Sequence, residues 1–143
     1  MVKILISDSM SSLAEEVFVN RGIDVDVRTG LSESELISCI NNYEGLAVRS
    51  ATKVSSTVLA AAKKLKVIGR AGIGVDNVDL EAATANGVVV MNTPFGNAIT
   101  TAEHAIAMIM ALARQIPMAD LSTQAGKWEK SKFIGVEVTG KTL

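Results

Sequence analysis

The sequence predicts an α/β fold built on a doubly wound parallel sheet. Short apolar segments alternate with helical ones from residue 2 to residue 91, which is typical of a parallel sheet covered by helices. The second strand, Ile23–Arg28, alternates polar and apolar residues, whereas the first, fourth and fifth are more continuously apolar. A half-exposed second strand belongs at the edge of the sheet, which favours the flavodoxin-like strand order.

Five segments have the length and apolar content of strands. Val88–Met91 is too rich in β-branched residues to be a helix of that length. The predicted strands are Val2–Ser7, Ile23–Arg28, Gly45–Arg49, Leu65–Gly69 and Val88–Met91.

Capping residues mark the helices between these strands. Ser12–Glu15 and Ser32–Glu35 have the spacing of a capping box, in which two side chains each bind the other's backbone N–H. Glycines supply the stops, as at Gly22 and Gly87. The predicted helices run from Ser12 to Arg21, from Ser32 to about Asn41, from Ser55 or Ser56 to Lys64, and from Leu80 to Ala85.

The pattern changes after residue 97. Thr100–Glu103 again has capping-box spacing and predicts a long helix to about Gln115. Pro117 suits the first turn of a further helix, which Gly126 ends. Residues 127–143 are predicted to form an extended arm that stops at the start of another strand.

Composition excludes several classes of protein. The chain has 143 residues, 48% of them apolar and 20% charged, and a net charge of −1, so we expect a folded protein without a surface for nucleic acid. It has neither a signal peptide pattern nor an apolar run long enough for a membrane span. The single cysteine, Cys39, cannot form an internal disulfide and favours the cytoplasm.

We expect one domain over residues 1–97 and a tail, 98–143, that belongs to a larger structure.

A glycine turn, Gly69–Asn77, follows the fourth predicted strand. The dinucleotide-binding fingerprint is G-x-G-x-x-G, but Asn77 stands in place of the third glycine. The next strand leads into Asn92–Pro94 and offers no acidic residue for a ribose, while Asp76 would repel a pyrophosphate. These departures argue against a primary dinucleotide loop. The alternative is a turn in which Asn77 or Asp79 caps the following helix.

Polar residues converge on the carboxyl edge of the predicted sheet, where doubly wound proteins bind their ligands. Two arginines and a glycine turn suit a carboxylate or a phosphate, because guanidinium groups match these anions and glycine lets the backbone approach. The alternative is that both arginines face water or cap neighbouring carbonyls. The residues at this edge are Ser7–Ser9, Arg49, Ser50, Arg70–Gly72, Asn92–Pro94 and Asn97.

The sequence lacks the residues that a zinc site, a phospho-receiver domain or a flavin site requires. His104 is the only histidine, and we expect it to pack or cap within its helix. With Cys39 it makes too few ligands for zinc, and we expect no metal. A phospho-receiver domain needs an acidic acceptor where Arg49 and Ser50 stand, and a flavodoxin needs more aromatic residues to hold its flavin.

Several segments together resemble the D-2-hydroxyacid dehydrogenase family. The glycine turn is shared across that family, whereas Val48–Val54 and Gly126–Lys130 point more narrowly to its phosphoglycerate branch. The resemblance covers essentially all 143 residues. The segments are Val48–Val54, Val67–Asp79, Val90–Pro94, Thr101–His104 and Gly126–Lys130.

The resemblance implies an NAD-dependent oxidoreductase of two domains. Residues 1–97 correspond to a flavodoxin-like substrate-binding domain, and residues 98–143 to an interdomain helix and a dimerisation arm of an incomplete Rossmann domain. The implied substrate is 3-phosphoglycerate, oxidised in serine synthesis, and the implied assembly is a homodimer or a higher homo-oligomer. The pyrophosphate loop and the catalytic residues would follow Leu143, so we expect the 143-residue chain alone to be inactive.

The resemblance also implies site residues. Ile73 matches a position that touches the cofactor. Relatives often carry arginine where this chain has Lys130, and lysine cannot bind a phosphate in bidentate fashion. Another D-2-hydroxyacid dehydrogenase and a non-catalytic flavodoxin-like anion-binding module remain as alternatives. The implied substrate-binding residues are Arg49, Ser50, Arg70, Ala71, Gly72, Gly74, Asn97, Trp128 and Lys130.

Overall fold

The computed structural model describes residues 2–143, which contain five strands, six α-helices and two short 3-10 helices. The chain divides into two compact units, Met1–Gly96 and Asn97–Leu143. The first unit holds the whole sheet and four helices, and the second holds two helices and an irregular arm.

The predicted strands and helices are present, with ends that differ by a few residues. The strands are β1 (Lys3–Ile6), β2 (Asp24–Val27), β3 (Gly45–Val48), β4 (Val67–Arg70) and β5 (Val89–Asn92). The helices are α1 (Ser12–Val19), α2 (Glu33–Cys39), α3 (Ser56–Ala61), α4 (Leu80–Ala85), α5 (Ala98–Ala113) and α6 (Ile116–Gln124). The 3-10 helices are Ile40–Asn42 and Lys130–Lys132.

The strands form one parallel sheet in the order β2-β1-β3-β4-β5. This flavodoxin-like order confirms the fold prediction, including the place of the alternating second strand at an edge. Polar side chains secure that edge strand. The Nζ of Lys3 lies 2.9 Å from Asp26 Oδ2, and the Tyr43 hydroxyl donates to the same oxygen at 2.7 Å.

The two faces of the sheet are covered unequally. Right-handed crossovers place α2, α3 and α4 on one face, and α1 on the other because its crossover runs in the opposite direction. The first face carries the core, in which Leu5, Leu46 and Ile68 are fully or almost fully buried. On the α1 face, Ala47 and Met91 help to line an apolar groove of about 370 Å³.

Helix starts in the first unit follow their capping side chains. The predicted box at Ser32 is confirmed, since Ser32 and Glu35 bind each other's backbone N–H. The box predicted at Ser12 is wrong, because the hydroxyl of Ser11 is the cap and accepts from the N–H of Leu13 at 3.3 Å. Ser55 caps α3 and Asp79 caps α4. The helix α3 ends at Ala61, earlier than predicted, because the chain turns there to bury Leu65.

The second unit departs further from the predicted capping. The helix α5 begins at Ala98, so Thr100–Glu103 lies inside its first turns and caps nothing. No residue of α5 is buried, so His104 is exposed and not packed as expected. Pro117 lies in the first turn of α6, as predicted.

The arm after α6 has little regular structure. Gly126, with φ of 72°, follows the end of α6, and residues 138–143 form no strand. Within residues 2–143 no single helix is long and apolar enough to cross a membrane. The bent pair α5 and α6, at 64° to each other, has the necessary length and composition only when taken together.

Candidate anion-binding site at the carboxyl edge of the sheet

The first unit brings together seven of the predicted site residues, from Arg49–Ser50 and Arg70–Gly74, at the carboxyl ends of β3 and β4; we call these residues the candidate anion site. Arg49 and Ser50 are both exposed, in the loop between β3 and α3. Among the described residues, the guanidinium of Arg49 donates only to the Ser9 carbonyl, at 3.2 Å. Because a guanidinium has five N–H donors, most of those on Arg49 remain available to a ligand.

Asp8 holds this loop in place from the end of β1. Its carboxylate accepts from the backbone N–H of Arg49 at 2.6 Å, and from the N–H and hydroxyl of Thr52 at 3.0 and 2.6 Å. Burial opposes ionisation of this carboxyl, but the bonds from Thr52, Arg49 and Ala51 outweigh it and hold the pKa of Asp8 below its usual value. Asp8 is therefore a carboxylate at neutral pH and serves as an acceptor for the loop.

Arg70 ends β4, and its guanidinium folds back over the glycine turn. The side chain is 11% exposed, and its Nη2 lies 3.8 Å from Asp76 Oδ1. Its Nε donates to Asn77 Oδ1 at 2.7 Å. A Cβ atom at Gly72 would collide with Nη1 of Arg70. The glycine at this position thus makes room for a guanidinium of the chain itself, and of the two arginines only Arg49 is exposed.

The turn Ala71–Gly74 presents fewer free N–H groups than its glycines suggest. Ala71 N–H donates to Val48 O, and Gly72 N–H to Arg70 O, both at 2.9 Å. The first bond forms because the pairing of β3 with β4 continues past the end of β4. The N–H groups of Ile73 and Gly74 have no acceptor among residues 2–143. Two backbone donors therefore remain for an anion.

Asn77 connects the glycine turn to the loop after β3. Its Nδ2 donates to the carbonyls of Arg49 and Thr52, at 2.8 and 2.7 Å, while its Oδ1 accepts from Arg70. Sequence reasoning treated Asn77 as a missing glycine or a helix cap, and it gave Thr52 no role. The only signal for Asn77 was a polar residue at a position where the fingerprint has glycine.

The arrangement can bind and orient an anion. Arg49 and the N–H groups of Ile73 and Gly74 are donors suited to a carboxylate or a phosphate. The turn does not fit the pyrophosphate of a dinucleotide, because the Arg70 guanidinium lies over Gly72 and Asn77 replaces the third glycine. Ile73 offers an exposed apolar side chain there. Within residues 2–143, no three His, Cys, Asp or Glu side chains converge as metal ligands.

The remaining predicted site residues lie in the second unit. Asn97 precedes α5 and makes no capping bond with its side chain. Trp128 and Lys130 line one cavity of about 320 Å³ on the arm, together with Phe133. Glu129 fastens this part of the arm to α6, since it accepts from the hydroxyl of Ser122 at 2.9 Å.

Comparison with known proteins assigns the chain to a family. Residues 4–139 match the family model of the D-isomer specific 2-hydroxyacid dehydrogenase catalytic domain. The chain belongs to this family. The resemblance carried by the glycine turn and its flanking segments is thereby confirmed.

Curated members of the 2-hydroxyacid dehydrogenase family narrow the comparison. Over 141 residues, the chain is 52% identical to the D-3-phosphoglycerate dehydrogenase of Archaeoglobus fulgidus and 55% identical to that of Homo sapiens. Each alignment covers 99% of this chain. The chain spans about a quarter of the length of these relatives, 27% and 26% respectively.

Solved structures of the family share the fold. The NAD+-bound 3-phosphoglycerate dehydrogenase of Entamoeba histolytica matches with a TM-score of 0.70 and 31% identity, over 79% of this chain and 39% of that one. A glyoxylate reductase from Paecilomyes thermophila matches with a TM-score of 0.86, over 98% of this chain and 46% of that one. At 20% identity, the second match shows the common fold alone.

Proposed function

We propose that this chain is the substrate-binding portion of an NAD-dependent D-3-phosphoglycerate dehydrogenase. The whole protein would oxidise 3-phosphoglycerate to 3-phosphohydroxypyruvate in L-serine synthesis. The similarity to relatives of that name, at 46–55% identity, supports the substrate. The structural observation that carries the proposal is the exposed guanidinium of Arg49 on the same sheet edge as the Ile73 and Gly74 N–H groups, which have no acceptor among residues 2–143.

In the whole protein, the described residues would bind and orient the substrate. In the overall reaction, C2 of the substrate loses a hydride to NAD and the C2 hydroxyl loses a proton. Asp8 is fully engaged as an acceptor and cannot take that proton, and the glycine turn does not hold a pyrophosphate. Arg49, Ile73 and Gly74 would hold the carboxylate or phosphate of the substrate, which fixes where C2 lies. We assign the acid–base pair and the main NAD site to the remainder of a longer protein.

We also propose a homodimer or larger homo-oligomer in the cytoplasm. The second unit supports association, because Ile106, Leu112 and Trp128 are 57%, 70% and 85% exposed. Large apolar side chains exposed in the same unit favour contact with another protein surface. The single, buried Cys39 fits a reducing compartment.

Assays of the complete gene product test the activity. With NAD as acceptor, we expect 3-phosphoglycerate to be oxidised in preference to glycerate and lactate. A preference for glycerate or lactate would indicate another 2-hydroxyacid dehydrogenase, and no oxidation of any of them would favour an anion-binding module. The 143-residue chain alone should bind 3-phosphoglycerate without reducing NAD. Reduction of NAD by that chain would refute our assignment of the catalytic groups to another segment.

A further inference from the structure

We infer that Asn77 is a positioning residue that holds both arginines of the candidate anion site in place. It belongs to neither predicted set of ligands, and it lies in the glycine turn at the position where the dinucleotide fingerprint has its last glycine. The inference rests on the proposed function only for the identity of the anion. The geometry that carries it is a single amide side chain bonded both to the loop after β3 and to the last residue of β4.

The hydrogen bonds fix the orientation of the Asn77 amide. Both hydrogens of Nδ2 have carbonyl acceptors, those of Arg49 and Thr52, and Oδ1 has the Nε–H of Arg70 as its donor. A rotation of the amide by half a turn would place Oδ1 against two carbonyl oxygens and Nδ2 against another donor. Only the observed orientation satisfies every group, so the side chain acts as a rigid connection.

Through this connection Asn77 fixes Arg70. The bond to Nε holds the guanidinium across the turn, with Nη1 against Gly72 and Nη2 beside Asp76. Asp76 is itself 87% exposed and cannot hold the guanidinium firmly on its own. Without Asn77, the Arg70 side chain would lose its one well-formed bond and rotate away from the turn.

Asn77 also fixes the backbone from which the Arg49 side chain projects. The Arg49 N–H is bound by Asp8 on one side, and its carbonyl is bound by Asn77 on the other. A side chain on an anchored backbone pays less entropy when it binds a ligand, because the loop is already ordered. The affinity of Arg49 for an anion therefore depends on Asn77, although Asn77 itself need not touch the anion.

A structural role as a helix cap does not account for these contacts. The cap of α4 is Asp79, whose carboxylate accepts from the Ala82 N–H at 2.9 Å. The side-chain bonds of Asn77 go instead to residues 49, 52 and 70, and none goes to α4. The loss of Asn77 should therefore change anion binding more than it changes the stability of that helix.

Steady-state kinetics of the complete protein test the inference. We expect Asn77→Ala to raise KM for the acid about tenfold or more, because the backbone of Arg49 loses its anchor and the Arg70 guanidinium loses its place over the glycine turn. KM for NAD should stay unchanged, and kcat should change less than KM. In Asn77→Asp, Arg70 keeps an acceptor, but an oxygen faces the carbonyls of Arg49 and Thr52, so KM should also rise. The matched control is Asn86→Ala, since Asn86 Nδ2 donates to the Ala82 carbonyl at 2.8 Å, on α4; its kinetics should equal those of the unmodified protein.

The effect of Asn77→Ala is compared with and without the two arginines, and this comparison is decisive. In an Arg49→Ala, Arg70→Ala background, Asn77→Ala should raise KM no further, because the groups it positions are gone. An equal increase in both backgrounds would overturn the inference, as would an unchanged KM in both Asn77 variants. Should Asn77→Ala not fold, the comparison is made with Asn77→Asp.

The acid is chosen by experiment among 3-phosphoglycerate, glycerate and lactate. If glycerate or lactate is preferred, the proposed substrate is wrong, but the same Asn77 series run with the preferred acid still decides the inference. Inorganic phosphate, titrated by calorimetry, provides a probe that needs no turnover. A protein that binds none of the three acids and no phosphate would overturn both the candidate anion site and the role of Asn77.

Discussion

The carboxylate of Asp8 lies 2.6 Å from the backbone nitrogen of Arg49, although 41 positions separate the two residues in the sequence. The bond joins the end of β1 to the loop after β3, and Thr52 strengthens it with a second N–H and a hydroxyl. The buried carboxylate of Asp8 thus fixes the backbone position of the exposed Arg49.

Stability should depend on the ionisation of Asp8. Its pKa is lowered in the folded protein, so its contribution is present above the unfolded pKa, near 3.8, and is lost as the pH falls through the folded value. We expect the free energy of unfolding to decline in acid, and to decline less steeply in Asp8→Asn. At neutral pH, Asp8→Asn should cost about 1–3 kcal/mol, because its amide would face donors. Urea unfolding across the acid range measures both effects, and equal slopes in the two proteins would contradict the assignment.

Gly72→Ala should displace Arg70. The added Cβ meets the guanidinium, which is the flexible end of its side chain, so the guanidinium moves and gives up its bond to Asn77. We expect the free energy of unfolding, measured by urea denaturation, to fall by about 1.5–3 kcal/mol, which is the contribution of a hydrogen bond to a charged group. In an Arg70→Ala background the same substitution should cost much less. Gly69→Ala is the control, since a Cβ there meets nothing within 4 Å; equal losses for Gly72→Ala in both backgrounds would exclude this explanation.

Arg49→Ala should weaken binding of 3-phosphoglycerate several-fold or more. The basis is the loss of a charge-assisted hydrogen bond, which is worth about 1.5–3 kcal/mol. Arg21→Ala is a matched control, because Arg21 is exposed and precedes β2 at the opposite edge of the sheet. Calorimetric titration measures both variants. An affinity unchanged by Arg49→Ala would remove Arg49 from the site.

Two adjacent serines should differ in their effect on α1. Ser11→Ala removes the observed cap and should destabilise the protein by about 0.5–2 kcal/mol. Ser12→Ala should be nearly neutral, because Ser12 is the first helical residue and the capping bond comes from Ser11. Thermal unfolding of the two variants decides the matter. A larger loss for Ser12→Ala would restore the cap that the sequence suggested.

The second unit should drive association of the chain. Leu112, on α5, is 70% exposed, and Leu112→Lys should shift the protein towards monomer in sedimentation or light scattering. Leu13 in the first unit is almost as exposed, at 64%, and Leu13→Lys should leave the oligomeric state unchanged. A monodisperse monomer for the unmodified chain would rule out this proposal.

The fold could be predicted because its determinants are local. The alternation of polar and apolar residues in Ile23–Arg28 indicates a strand with one solvent-exposed face, which is typical of a sheet edge. The capping box at Ser32 is a contact between residues three positions apart. The same rule failed at Thr100, where the spacing is present but the helix starts at Ala98. A capping pattern inside a helix looks identical to one at its start, and the sequence alone does not separate them.

The site could be located but not described in detail. Ligands at the carboxyl edge follow from the topology, so Arg49 and Arg70 could be placed there. That Arg70 is enclosed follows from a bond to Asn77, seven residues away, and the position of Arg49 depends on contacts across 28 and 41 residues. Such long-range bonds leave no periodic signal. Their partners become known only when the strands are in register.

The separation of Asp8, Arg49 and Asn77 along the chain determines when the anion site can form during synthesis. The ribosome releases β1 and the loop after β3 before the glycine turn, so Arg49 has its Asp8 contact but no amide on its carbonyl until residue 77 has emerged. Contacts of this range form after local helices, since chain closure must precede them. A nascent chain stalled before Asn77 would therefore carry the segments of β1 to β4 and α1 to α3 with an unformed ligand site.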